Sequence, residues 1–127
     1  MTPSPERNAE IDRELLELAA KAAGIKADKS PYNGGGKNNT GFDSSGNLVI
    51  DWYNNEVWNP LTDDGDALRL AVKLKLHIGL ESECVSAWPK GRMDVFMTVV
   101  FKHFGEEAAT RRALVRAAAA IGKEGKL

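Results

Sequence analysis

MDVFMTVVFKHF, residues 93–104, decides the fold, because it is the longest stretch of the chain that is apolar at the two-residue period of a strand. One face of that strand would carry Val95, Met97, Val99 and Phe101; the other would carry Phe96, Val100 and Phe104, with Thr98 and Lys102 between them. A strand apolar on both faces belongs in the middle of a sheet, covered on both sides. Upstream, Pro89-Lys90-Gly91-Arg92 reads as a turn, and residues 84–88 read as a short strand that could lie at a sheet edge and pair with its own copy. Leu76, Ile78 and Leu80 alternate with His77, Gly79 and Glu81, the pattern of a strand with one wet face.

Helices flank this strand region. Over residues 4–23, Ile11, Leu15, Leu18 and Ala22 form one narrow stripe, with Ser4 and Pro5 suited to start the helix and Gly24 to stop it. A second helix begins near Asp63, with Ala67, Leu70, Ala71 and Leu74 on one side and Leu68 and Val72 beside them, an arc wide enough to imply substantial burial. The last helix, residues 106–121, sets Thr110, Leu114, Ala117, Ala118 and Ile121 against Arg112, Arg116 and Lys123, and Gly122 reads as its stop. Residues 48–53 read as another strand, followed by a bend at Trp58-Asn59-Pro60. The expectation is α+β: a small antiparallel sheet with helices on both faces, an α/β/α sandwich. Residues 1–127 form a single domain, interrupted by a long Gly/Asn-rich loop at 25–47 that is either disordered or functional, with only Tyr32 and Phe42 to anchor it.

Composition narrows the functional classes. Lys plus Arg total 17 against 18 Asp plus Glu, so the chain lacks the basic excess that attracts nucleic acid phosphates, and nucleic acid is not an expected partner. No apolar run is long enough to span a bilayer, and the start of the chain is too polar for a secretory signal, so a cytoplasmic protein is expected. The single Cys84 allows neither an internal disulfide nor a multi-cysteine zinc site.

Each chemical motif has a plainer reading beside it. Gly34-Gly35-Gly36-Lys37 resembles part of a phosphate-binding loop, but Pro31 and Asn38 stand where that motif needs Gly and Ser or Thr. Asp63, Asp64 and Asp66 could attract a hard cation, yet acids at a helix start are favoured by its dipole and free N–H groups without any ion. His77 and His103 would need to converge with a carboxylate or Cys84 to do chemistry. No metal, cofactor or catalytic residue is therefore expected. Trp58 and Asn59, at the bend, and Trp88 with Arg92, at the turn, are candidate binding residues, since Trp and Arg dominate interface energies. Arg112 and Arg116, with Arg111 and Lys123, form a basic ridge that could meet an anion or an acidic protein, or simply face solvent.

Two segments are familiar: Trp58-Asn59-Pro60-Leu61-Thr62-Asp63-Asp64-Gly65-Asp66-Ala67, and Ala109-Thr110-Arg111-Arg112-Ala113-Leu114-Val115-Arg116-Ala117-Ala118. Together they resemble the phage proteins described as ABA-sandwich or NinX-like. The resemblance implies a three-layered fold and a phage or prophage accessory role in a bacterial host cell, and brings no catalytic residues with it. The expected function is non-enzymatic binding to a host or phage protein. The alternative is capture of a small nucleotide-like anion by arginines of the last helix and an aromatic wall. Oligomeric state is left open.

Overall fold

A computed structural model describes residues 5–27, 41–51 and 53–124. Helix α1 (Pro5–Ala23) ends where Gly24, at φ 73°, turns the chain out of the helix and Ile25 N–H donates to the carbonyl of Ala20. Of the expected loop at 25–47, the part after residue 40 is tied down. Phe42 is buried and bridges to Leu48, and the Asp43 carboxylate accepts from the N–H groups of Ser45 and Asn47. The Gly34–Gly36 run, Lys37 and Tyr32 lie outside the described residues.

Strand β1 (Leu48–Asp51) pairs antiparallel with β2 (Glu56–Trp58), a three-residue strand the sequence pattern did not signal. Helix α2 (Asp64–Leu74) is capped by Asp63, whose carboxylate accepts from Asp66 N–H at 2.8 Å, and is closed by Lys75 in the left-handed conformation. Then come β3 (Leu76–Leu80), β4 (Cys84–Pro89), a short 3₁₀ turn, β5 (Met97–Val100), the single-turn helix α3 (Phe101–Phe104) and α4 (Glu106–Glu124).

The fold is α+β, and among the described residues it has two small antiparallel sheets, β1-β2 and β3-β4-β5. The 93–104 segment is not one long strand. Met93, Asp94 and Val95 form the 3₁₀ turn, only four residues extend, and Phe101 onward winds into α3, whose exit is made by Gly105 at φ 85°. Phe101 and Phe104, three apart, satisfy a helix as well as a strand, and the apolar pattern alone cannot choose. Nor is this strand central: β4 holds the middle position and β5 is an edge. The 84–88 strand is therefore no free edge, since both its sides are paired.

Helix α4 lies at the centre of the molecule. Val115 and Ala118 join one buried cluster with Leu16 and Ala19 of α1, Leu48, Trp58 and Leu70. Ala109, Ala113, Leu114 and Ala117 join the other, with Val85, Ala87, Val95 and Val99 from the three-stranded region. The helix expected to keep one solvated side is thus buried on two, which its alanines permit because they let neighbours approach from several directions. Gly122 is not a stop but an interior residue of α4, buried where the helix crosses α1. On α2, Ala67, Leu70 and Ala71 are buried, while Leu68 and Val72 remain exposed, so the buried arc is narrower than expected.

These packings all fall on one face of β3-β4-β5. Val85, Ala87, Met97 and Val99 point to α4. Among the described residues, no helix packs over the opposite face, where Phe96 is 43% and Val100 is 45% exposed.

Candidate functional site

Strand register assembles the open face. His77 lies opposite Trp88 and Gly79 opposite Ser86 across β3 and β4; Ser86 lies opposite Thr98 and Cys84 opposite Val100 across β4 and β5. Side chains of such pairs stand on the same side of a sheet. The face therefore presents His77, Trp88 and Phe96 in a row, with Ser86, Thr98, Cys84 and Val100 beside them. None of these is an Asp, Glu, Lys or Arg.

The row is packed as well as aligned. The rings of His77 and Trp88 stack with centroids 5.7 Å apart and planes 7° from parallel, and Trp88 stacks on Phe96 at 5.0 Å and 26°. Gly79 makes room for it: a Cβ there would lie 3.3 Å from the Trp88 ring atoms Cη2 and Cζ3. Ser86 and Thr98 satisfy each other through a 2.9 Å hydroxyl hydrogen bond, which removes the cost of covering them. The result is an aromatic, polar-satisfied surface held on the strands and, at Phe96, on the extended residue that leads into β5.

The other residues singled out from sequence are placed differently. Trp58 is 5% exposed inside the first cluster, and Asn59 is buried at a corner where every group is used. Its side-chain oxygen accepts from Leu61 N–H at 3.1 Å, its amide donates to Asn47 Oδ1 at 2.9 Å, and its own N–H donates to Asp66. Arg92 is held by Asp94 and Glu124 in charge-assisted bonds of 2.7 and 2.6 Å, which raise its pKa further and draw that of Asp94 below the usual carboxylate value. Arg112 donates to Asp12 of α1 at 2.9 Å and lies over the Phe104 ring at 4.7 Å. Arg111 donates to the carbonyl of Leu61 and to Asp64, at 2.8 and 2.6 Å. Arg116, exposed on α4, has no hydrogen bond or ion pair with another described residue.

Two of the ridge arginines therefore join elements of the fold. Trp88 and the arginines of the last helix do not converge, because Trp88 stands on the open face of the sheet and α4 packs against the other; the ring that an arginine of α4 meets is that of Phe104. A basic pocket of the kind a nucleotide-like anion needs is not formed by that pair of features.

The aspartates near the α2 start have structural partners too: Asp63 caps the helix, Asp64 meets Arg111, and Asp66 accepts from Asn59 and Arg69. His103 lies in α3 rather than on a strand and meets Phe104 edge-on, while His77 stacks on Trp88. Among the described residues, no group of His, Cys, Asp and Glu could hold a metal ion. A hollow of about 310 Å³ lies by the end of α1, lined by Ala20, Gly24, Ile25 and Leu48 among others, and none of the candidate residues reaches it. No described helix is long and apolar enough to cross a membrane.

The sequence had marked Trp88 but not its two ring partners as a unit. Centring a hairpin between residues 81 and 84 would have placed His77 opposite Trp88; the position of Phe96 depended on the 3₁₀ turn. The two segments behind the phage-family resemblance do touch, through Arg111 and the Leu61 carbonyl. Compared with known proteins, the chain matches no family model, no curated protein and no solved structure.

Proposed function

We propose that the chain is a non-enzymatic binding protein whose open sheet face, centred on Trp88, docks another protein. The row His77–Trp88–Phe96 supports this reading above all. An aromatic surface depleted of charge has the composition of an interface core, and Trp at the centre of such a patch is the residue whose truncation costs most. The same lack of charge disfavours phosphate-bearing partners, whose binding rests on Lys and Arg. In the phage setting suggested by the sequence resemblance, the partner is a host or phage protein.

The test is a comparison of baits. Native chain and the double variant Trp88→Ala/Phe96→Ala, both checked for folding by circular dichroism, are presented to bacterial lysate with a photo-crosslinking residue at position 98. The proposal expects one dominant cross-linked protein with the native bait and at least a tenfold loss with the double variant, corresponding to about 1.4 kcal/mol or more. Equal capture by the two baits would refute it.

A further inference from the structure

We infer that two copies of this chain associate through the open edge of β3, joining their three-stranded sheets across a two-fold axis. This concerns the edge of the sheet, not its face, and stands apart from the binding reading above.

The hydrogen-bond phase of the hairpin shows what the edge offers. Lys90 N–H donates to the Lys75 carbonyl, and Glu81 N–H donates to the Cys84 carbonyl. In an antiparallel ladder such pairs alternate, so His77 and Gly79 direct their main-chain groups toward β4, as do the Lys75 carbonyl and the Glu81 N–H, while the Lys75 N–H is used in closing α2. Leu76, Ile78 and Leu80 direct theirs away from it, and no described backbone group pairs with them there.

The segment from Lys75 to Glu81 is complementary to itself. An antiparallel pairing centred on Ile78 sets Ile78 against Ile78 of the second copy and Leu76 against its Leu80. Those are the residues whose N–H and C=O groups face outward, so every main-chain bond falls in phase. The same register puts Lys75 opposite Glu81 of the other copy at both ends of the ladder, opposite charges at each. His77 falls opposite Gly79, where the absence of a side chain leaves space beside the partner's aromatic row. A two-fold contact requires this reciprocity, with each residue meeting the one that meets it.

Among the described residues, three common protections are missing at this edge. Exposed edge strands are commonly blunted by Pro, by a bulge or by an inward charge. Within Leu76–Leu80 there is no Pro and no charged residue, and the pairing with β4 runs without a register shift. By contrast, the β1-β2 ribbon contains a register shift and β2 begins with Glu56. Ile78 is exposed and Leu80 is 69% exposed on the side of the sheet that α4 covers elsewhere. Leu68 and Val72, beside the sheet-facing Ala67 and Ala71 on α2, are exposed as well. Pairing two copies satisfies the edge and covers Ile78 and Leu80 in one step.

Light scattering over a concentration series, on the full chain, tests the inference through charge reversal. Native protein is expected to pass from monomer to dimer as concentration rises. Glu81→Lys places two Lys pairs across the axis, and Lys75→Glu two Glu pairs; each is expected to weaken dimerisation roughly tenfold. The double variant Lys75→Glu/Glu81→Lys is expected to restore it. In a Cys84→Ser background, Ile78→Cys is expected to oxidise to a disulfide-linked dimer, since directly opposed residues fall within disulfide range. A native chain that stays monomeric to millimolar concentration overturns the inference. So does a dimer indifferent to both single reversals whose Ile78→Cys form does not cross-link.

Discussion

Replacing Gly122 by Ala tests how closely the two long helices approach. An ideal Cβ at Gly122 would fall onto the carbonyl oxygen of Leu18 in α1 and 2.8 Å from its carbonyl carbon. Those are main-chain atoms inside a helical ladder, so no rotamer change can move them aside. The helices would have to separate at the seam where Ala19 and Ala22 of α1 and Ala118 and Ala119 of α4 are buried. Overpacking of this kind costs about 1–3 kcal/mol, and more where backbone must shift. Helix propensity works the other way, since Gly to Ala in a helix interior returns about 1 kcal/mol. Taking the upper part of the first range, the variant should be destabilised by about 2 kcal/mol, lowering Tm by roughly 8 °C for a chain of this size. Urea unfolding should show a lower midpoint at unchanged slope, the mark of a change in stability rather than in compactness. Gly65→Ala in α2 is the control. Its Cβ would meet only side-chain ends, the nearest being Arg69 Nη2 at 3.1 Å, and the expected change runs from none to a gain of about 1 kcal/mol. If Gly122→Ala were as stable as the native chain, close approach of α1 and α4 would be wrong, and with it the central place given to α4.

Two other predictions concern the polar framework. Asn59→Ala removes the acceptor for the buried Leu61 N–H and the donor to Asn47, and should destabilise by roughly 2 kcal/mol in urea melts; a loss below half of that would show the corner to be held by Trp58 and Pro60 alone. Asp51 and Asp94 are held below the usual carboxylate range, the first chiefly by the Asn54 amide and the second chiefly by Arg92. A depressed folded-state pKa gives stability that is present above the unfolded value of about 3.9 and lost as pH falls through the folded one. Stability should therefore drop below about pH 4, and Asp94→Asn should make that acid limb shallower; an unchanged limb would mean the Arg92 bonds do not persist in solution.

Where local chemistry acts alone, the sequence was a good guide. The Asp63 cap and the Gly24 stop appear where the pattern puts them, and α1, α2 and β3 lie where they were expected. Their buried sides were read less well: Ile11 of the expected α1 stripe and Ile78 and Leu80 of β3 are exposed, while Leu16 and Ala19 carry the buried side of α1. The sequence was a poor guide where apolar residues face two ways. Alanine is small enough to be core from any side, so the spacing in α4 could not reveal that Val115 and Leu114 enter different clusters. The 93–104 run failed for the opposite reason, since its apolar residues are so frequent that strand and helix periods both fit. Strand β2 gave no signal because Glu56 and Val57 are exposed and only Trp58 is buried. The open face was legible one residue at a time; its row of rings depends on a register that joins positions 77, 88 and 96.

The features of the three-stranded sheet that local stability does not explain fall on its open side and along its open edge. Val85, Ala87 and Val99 on the inner face already give the sheet its share of the core. Phe96 and Val100 add little to that core while they stay exposed, and Gly79 weakens a strand by its lack of a side chain. Yet Gly79 gives room to the Trp88 ring that stacks on both neighbours, since a Cβ there would lie tightly against it at 3.3 Å. Departures from local rules that cluster in one place and depend on one another are the usual mark of a site rather than of accumulated neutral change. Here they separate into two surfaces with different chemistry: an aromatic face without Asp, Glu, Lys or Arg, which the proposed docking would use, and a main-chain edge at which the proposed pairing would set Lys75 against Glu81 of a second copy. Joining the edges would set two aromatic rows side by side on one continuous sheet. A partner recognised by both would then be held by two copies of the same contact, so a variant that breaks only the edge should weaken partner binding without altering the face that makes it.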